Sequence, residues 1–150
     1  MQKLIIVLAL GILSAGWAVA SDKSDAEAVV NQWTDHFNQG DLKAAIALCA
    51  PDASIIDDLA PFHWRGPGAC AKWSEAYAVY VKDQAITDVM VTLDPSHTID
   101  VSGDRAYFGA RATYVGTQKG KPLKVRARVT MVLQKEGRAG WQIAAWSWSE

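Results

Sequence analysis

The sequence predicts an α+β fold: three N-terminal helices packed on one strongly curved, mostly antiparallel sheet. Three observations carry this expectation. Apolar residues recur at helical spacing from Ala26 to Tyr80. After Asp83 the period falls to two, and apolar residues alternate with polar ones. Gly, Pro, Asn and Asp clusters then punctuate the alternating runs at short intervals. Helices first and strands afterwards place the helices on one side of an antiparallel sheet. That sheet has to bend its apolar face around them, and a sheet bent so strongly leaves an internal pocket at one end.

The first twenty residues read as a signal peptide. Lys3 supplies a short positive start, Leu4 to Leu13 an apolar stretch, and Ala18-Val19-Ala20 a small-residue cleavage site. A cut after Ala20 makes the product periplasmic or secreted. The apolar stretch is short for a bilayer span, and no cysteine follows the cut, so no stable membrane anchor is expected. Residues 21–150 have the length of a single domain with a real core. A formal charge of −1 gives no reason to expect nucleic acid as a partner.

Ser24 with Glu27 forms a capping box, so the first helix is expected to start there. Its apolar face is Ala26, Val29, Val30, Trp33 and Phe37. Gly40 ends it, and Asp41 caps a short second helix carrying Leu42, Ala45, Ile46 and Cys49. Pro51 stops that helix. A short strand, Ala53 to Asp57, ends in adjacent carboxylates, Asp57 and Asp58. Pro61, Gly66 and Pro67 break the following loop. Pro67 suits the first turn of a third helix with Cys70, Trp73, Tyr77 and Tyr80 on one face. Strands follow around Val89–Leu93, His97–Val101, Arg105–Gly116, Leu123–Lys135 and Trp141–Ser149. Cys49 and Cys70 both fall at apolar helical positions. Two small buried hydrophobes is the first expectation; a disulfide, contributing about 3 kcal/mol for its loop, is the alternative.

Four stretches carry a family resemblance: Asn38-Gln39-Gly40-Asp41-Leu42, Ala50-Pro51-Asp52-Ala53, Arg65-Gly66 before the third helix, and Gly140-Trp141-Gln142-Ile143. In this order the chain resembles the SnoaL-like branch of the nuclear-transport-factor-2-like superfamily, the cone-shaped, barrel-like fold of ketosteroid isomerase and scytalone dehydratase. The superfamily hosts isomerases, dehydratases, cyclases, epoxide hydrolases and non-catalytic binders, so the resemblance implies a fold ahead of a reaction. Along Ala53 to Gly66 the likeness to ketosteroid isomerase puts Asp57 where that enzyme keeps its proton-abstracting aspartate. Trp33 replaces the tyrosine that donates to the oxyanion. The second, acidic donor falls near Thr130 or Met131, neither of them acidic. Many SnoaL-like chains carry histidine on the inward face of the last strand, where Ala145 and Ser147 are expected here.

These positions define the candidate chemistry. Asp57, desolvated among aromatics, is the expected general base; Asp58, its neighbour on the strand, is expected to point away and be structural. His63, between Phe62 and Trp64 in the loop, is a candidate second acid or base. His36 is expected half-exposed, His97 has no assigned role, and three scattered histidines match no zinc spacing, so neither metal nor organic cofactor is expected. Trp33, Phe37, Trp73 and Tyr77 are expected as core residues that double as pocket wall, with Ser147 facing the same space. Such a wall suits a small hydrophobic or aromatic molecule. Lys124, Arg126 and Arg128 share one strand face, read first as a solvated face and second as a basic mouth. Trp146 and Trp148 are expected on the outer face of the sheet, where they would make a homodimer surface. Three functions fit: an exported isomerase, dehydratase or lyase with Asp57 as base; a non-catalytic binder of a hydrophobic ligand; or a dimeric interaction module.

Overall fold

A computed structural model describes the backbone of residues 13–150 and the side chains of residues 21–150. Three helices, α1 (Leu13–Asn38), α2 (Leu42–Ala47) and α3 (Ala69–Asp83), pack on a seven-stranded sheet. Its strands are β1 (Cys49–Ile56), β2 (His63–Arg65), β3 (Ile86–Leu93), β4 (Thr98–Ser102), β5 (Arg105–Gln118), β6 (Lys121–Glu136) and β7 (Gly140–Ser149). The order is β2-β1-β7-β6-β5-β3, with β4 also paired to β5. All pairings are antiparallel except β1 with β7. The path does not close into a barrel, and the sheet wraps the helices as a cone-like α+β fold.

The positive start expected at Lys3 and nearly all of the apolar stretch after it lie outside the described residues. Helix α1 does not begin at Ser24 but runs through Ala20 and the capping box without a break. The stretch before Ser24 is rich in alanine and holds no breaker after Gly16, so the helix continues, and Ser24 Oγ donates backward to the Ser21 carbonyl at 2.8 Å. Of the expected inward face, Ala26, Val30, Trp33 and Phe37 are buried and Val29 is half-buried against the same core. The Asn38 side chain then fastens the helix end to the sheet. It donates to the Val91 carbonyl at 2.8 Å and accepts from the Val91 N–H at 2.7 Å. Gly40 adopts a φ of +74°, and Asp41 caps α2 by accepting from the Ala44 N–H at 2.9 Å.

Cys49 is not part of α2. That helix stops at Ala47, and Cys49 opens β1. The strand is irregular between Cys49 and Ser54, which gives Pro51 a place in a sheet without breaking a regular ladder. Cys49 and Cys70 form a disulfide, which corrects the preference for two unbonded cysteines. The bond ties β1 to the first turn of α3. Pro67 precedes α3 instead of sitting in its first turn; the helix starts at Ala69, after Gly68 with φ +75°.

The last strand shows the largest departure. Leu133 pairs with Ile143, yet Val132 pairs with Ala145, so Ala144 is an extra residue in β7. A side-chain period of two changes phase at such a bulge. Trp141 and Ile143 face inward before it, and Trp146 faces inward after it, all three buried. Trp146 and Trp148 therefore do not lie on the outer face of the sheet, and Ala145 and Ser147 do not lie on its inner face. The homodimer expectation loses the two aromatics on which it stood. Lys124, Arg126 and Arg128 are exposed, as the solvated-face reading had them.

Candidate active site

The cone holds a partly open cavity of about 510 Å³ between α1, α3 and the inner face of the sheet. Each element reaches it by its own period. Trp33, Thr34 and Phe37 come from α1, Trp73, Tyr77 and Tyr80 from α3, and Val129 and Met131 from β6. Trp146 and Trp148 reach it from β7 because of the bulge. The rings form one connected cluster. Trp33 stacks on Phe37 with centroids 5.4 Å apart, Trp73 stacks on Tyr77 at 5.4 Å, and Trp146 meets Trp73 edge-on at 4.7 Å.

Asp57 sits one residue past the end of β1, at the start of the turn into β2. The turn closes on itself: Asp57 N–H donates to the Phe62 carbonyl at 3.2 Å, and Phe62 N–H to the Leu59 carbonyl at 2.8 Å. It aims the carboxylate into the cavity wall, where both oxygens have a donor. Leu59 N–H donates to Oδ1 at 2.9 Å, and Trp73 Nε1–H donates to Oδ2 at 2.9 Å. Burial pushes the Asp57 carboxyl up to about 6. The Leu59 N–H pulls it back, the neighbouring Asp58 adds to the rise, and the Trp73 N–H again pulls it back. A carboxyl in that range is ionised at neutral pH, yet more basic than one in water.

A second polar pair lines the same space. Tyr77 Oη and Tyr114 Oη are 3.1 Å apart. Whichever hydroxyl donates to the other, one O–H of the pair stays free to donate to a ligand. Burial pushes both phenols up from their ordinary value, and each is the other's next influence, so both stay protonated across the physiological range.

Of the residues singled out in the sequence, Asp57, Trp33, Phe37, Trp73 and Tyr77 all line the cavity. His63 and Ser147 do not. His63 belongs to β2, paired with exposed Ile56, and its Nε2 lies 3.1 Å from Ser54 Oγ on the outside of the sheet. It is turned away because Trp64, the buried residue of that strand, takes the inward position. Ser147 pairs with Ile56 and Thr130, on the face opposite Trp146. Asp58, expected to be structural, stands at the cavity rim, exposed. Tyr114 was missed. Its signal was available, because it shares strand parity with buried Phe108, Ala110 and Ala112. Leu59 and Phe62 carry no periodic signal; their place follows from the turn alone. Among the described residues no three His, Cys, Asp or Glu side chains gather as a metal site, and no helix is long and apolar enough to cross a membrane.

Comparison with known proteins agrees with this architecture. The family model described as SnoaL-like domain matches residues 26–149. Among solved structures, a nuclear transport factor 2-like superfamily protein from Salmonella enterica serovar Typhimurium superposes with a TM-score of 0.74 at 19% identity, covering 87% of this chain and 91% of that one. A protein with a cystatin-like fold from Novosphingobium aromaticivorans gives 0.73 at 17% identity, covering 93% and 88%. A ketosteroid isomerase-like protein from Erwinia carotovora atroseptica gives 0.64 at 20% identity, covering 85% and 95%. No curated protein matches the chain in sequence. At these identities the structural likeness concerns the fold alone.

Proposed function

The chain belongs to the SnoaL-like domain family, and from that premise we propose that it is an acid/base isomerase, dehydratase or lyase acting on a small, largely apolar molecule. Asp57 is the general base. The observation that supports this reading is the pairing of a half-buried carboxylate, held by Leu59 N–H and Trp73 Nε1–H, with an aromatic cavity of about 510 Å³. Proton abstraction from carbon leaves an electron-rich oxygen or nitrogen on the substrate, and the free hydroxyl of the Tyr77–Tyr114 pair is the donor that receives it. Trp33 shapes the wall and positions the ligand.

Export is part of the proposal. Its support is the signal-type sequence of residues 1–20 together with the Cys49–Cys70 bond, a linkage characteristic of oxidising compartments.

Nitrobenzisoxazole tests the base directly, because its ring opens when a carboxylate removes one C–H proton in an apolar site. The N–O bond breaks and a cyanophenolate leaves, with no other reactant. Wild type is expected to accelerate the opening, and Asp57→Asn to lose at least about 100-fold of that acceleration. Equal rates in the two proteins overturn the assignment of Asp57. A second reading, a binder without turnover, is favoured by one observation: His63, the candidate second acid, lies outside the cavity. Binding of the probe without ring opening is the outcome that selects it.

A further inference from the structure

We propose that the cavity selects positively charged ligands: a hydrophobic amine or quaternary ammonium whose cationic end seats between Asp57 and the indoles of Trp33, Trp73 and Trp146. This rests on the reading of the cavity as a ligand site and adds the charge of what it takes. The first support is the sign of the lining. Its charged side chains are Asp57, Asp58 and Glu150, and no Lys, Arg or His among the described residues lines it. The basic side chains of the neighbouring strands, Arg111, Lys124, Arg126 and Arg128, are exposed on the other face of the sheet. A carboxylate withdrawn from water ordinarily has a cationic partner. Among the described residues Asp57 has two N–H donors and no counter-ion, so the positive charge that balances it is left for the ligand to bring.

The second support is the arrangement of rings. Three indoles arrive from three different elements, with Trp33 5.7 Å and Trp73 4.7 Å from Trp146, and Trp33 6.1 Å from Trp73. Tryptophan has the ring face that attracts cations most strongly, and the attraction grows when the cation is desolvated. Trp73 also donates its N–H to Asp57, which pushes electron density into that indole and strengthens its pull. An anionic ligand would meet the Asp57 carboxylate in the cavity wall and the exposed carboxylates of Asp58 and Glu150 beside it. The base chemistry survives a cationic substrate: the charge weakens Asp57 as a base, but it also acidifies a C–H next to the cationic nitrogen.

Phenylpropylamine, phenylpropanol and phenylpropionate have nearly the same shape and carry a positive, no and a negative charge at pH 7. Their binding can be followed by tryptophan fluorescence. The amine is expected to bind about tenfold tighter than the alcohol, and the carboxylate more weakly than either. Asp57→Asn, with its fold checked by circular dichroism, is expected to remove most of the amine's advantage over the alcohol and leave the share contributed by the indoles. The three wild-type affinities decide the matter even where the variant does not fold. An alcohol that binds as tightly as the amine overturns charge selection and leaves the cavity reading standing. Failure of all three to bind overturns both.

Discussion

The Trp73 indole donates its Nε1–H to Asp57 Oδ2 at 2.9 Å, joining helix α3 to the turn after strand β1. This hydrogen bond favours the ionised carboxylate and opposes the rise caused by burial. Trp73→Phe keeps an aromatic ring and removes the donor. The Asp57 carboxyl is then expected to titrate above about 6. Carbon-detected NMR of the aspartate carboxyls measures the shift. An unmoved titration would mean the bond is absent in solution.

Asp57 also ties stability to pH. Its pKa is raised from 3.8 to about 6 on folding, so the folded state binds the proton more tightly than the unfolded chain. Below about pH 3.8 both states are protonated and the shift has no effect. As pH rises through the window to about 6, the unfolded chain ionises first, and the folded state loses stability. Asp57→Asn does not titrate. Its stability relative to wild type should therefore improve between pH 4 and pH 7, by about 1–2 kcal/mol once screening by the open cavity is allowed for. Urea unfolding of both proteins at the two pH values gives the difference, and a constant difference would contradict the shift.

The inward stripe of α1 was legible because its period is unbroken: Ala26, Val30, Trp33 and Phe37 fall on it and are buried together. Asp57 was legible only through its place after a strand and through family likeness. The departures in the last strand share one physical origin. A period of two carries no mark of an added residue, so Ala144 reversed the expected facing of Trp146, Trp148, Ala145 and Ser147 at once. His63 departs from expectation for a different reason. Expected in a loop, it is held by its pairing with Ile56 as a strand residue with a fixed outward face. Disulfide pairing is a tertiary contact, and Cys49 and Cys70 are 21 residues apart.

That bond should matter more to the unfolded chain than to the shape of the site. Closing a loop of this length stabilises by about 3 kcal/mol in the chain-entropy model. Urea unfolding of the Cys49→Ala, Cys70→Ala double variant is expected to show a loss of that order, and reductant should destabilise wild type but leave the variant unchanged. A loss well below 1 kcal/mol would show that the unfolded chain is not constrained by this bond.

The two tyrosines should behave as one donor. Tyr77→Phe leaves Tyr114 Oη, and Tyr114→Phe leaves Tyr77 Oη, each free to reach a ligand. Either single variant is expected to lower nitrobenzisoxazole opening by less than about fivefold, and the double variant by about 100-fold. The excess in the double variant is the signature of a shared role. Single losses that multiply to the double loss would instead assign the hydroxyls independent ones.

Deleting Ala144 tests what aims the last strand. Without the extra residue, alternation continues from Ile143, and Trp146 and Trp148 are carried to the outer face while Ala145 and Ser147 turn inward. Trp146 is only 5% exposed, and its indole contacts both Trp33 and Trp73. Removing a tryptophan from such a place costs about 3–5 kcal/mol. The deletion is therefore expected to destabilise by at least that much and to move tryptophan emission to the red. Ala144→Gly keeps the residue count and should do neither. The bulge sits between two paired neighbours, β1 and β6, so the strand has no free edge along which to slip back. A deletion variant with wild-type stability and unshifted emission would show that the facing of Trp146 is set by packing against the helices and not by the residue count of β7.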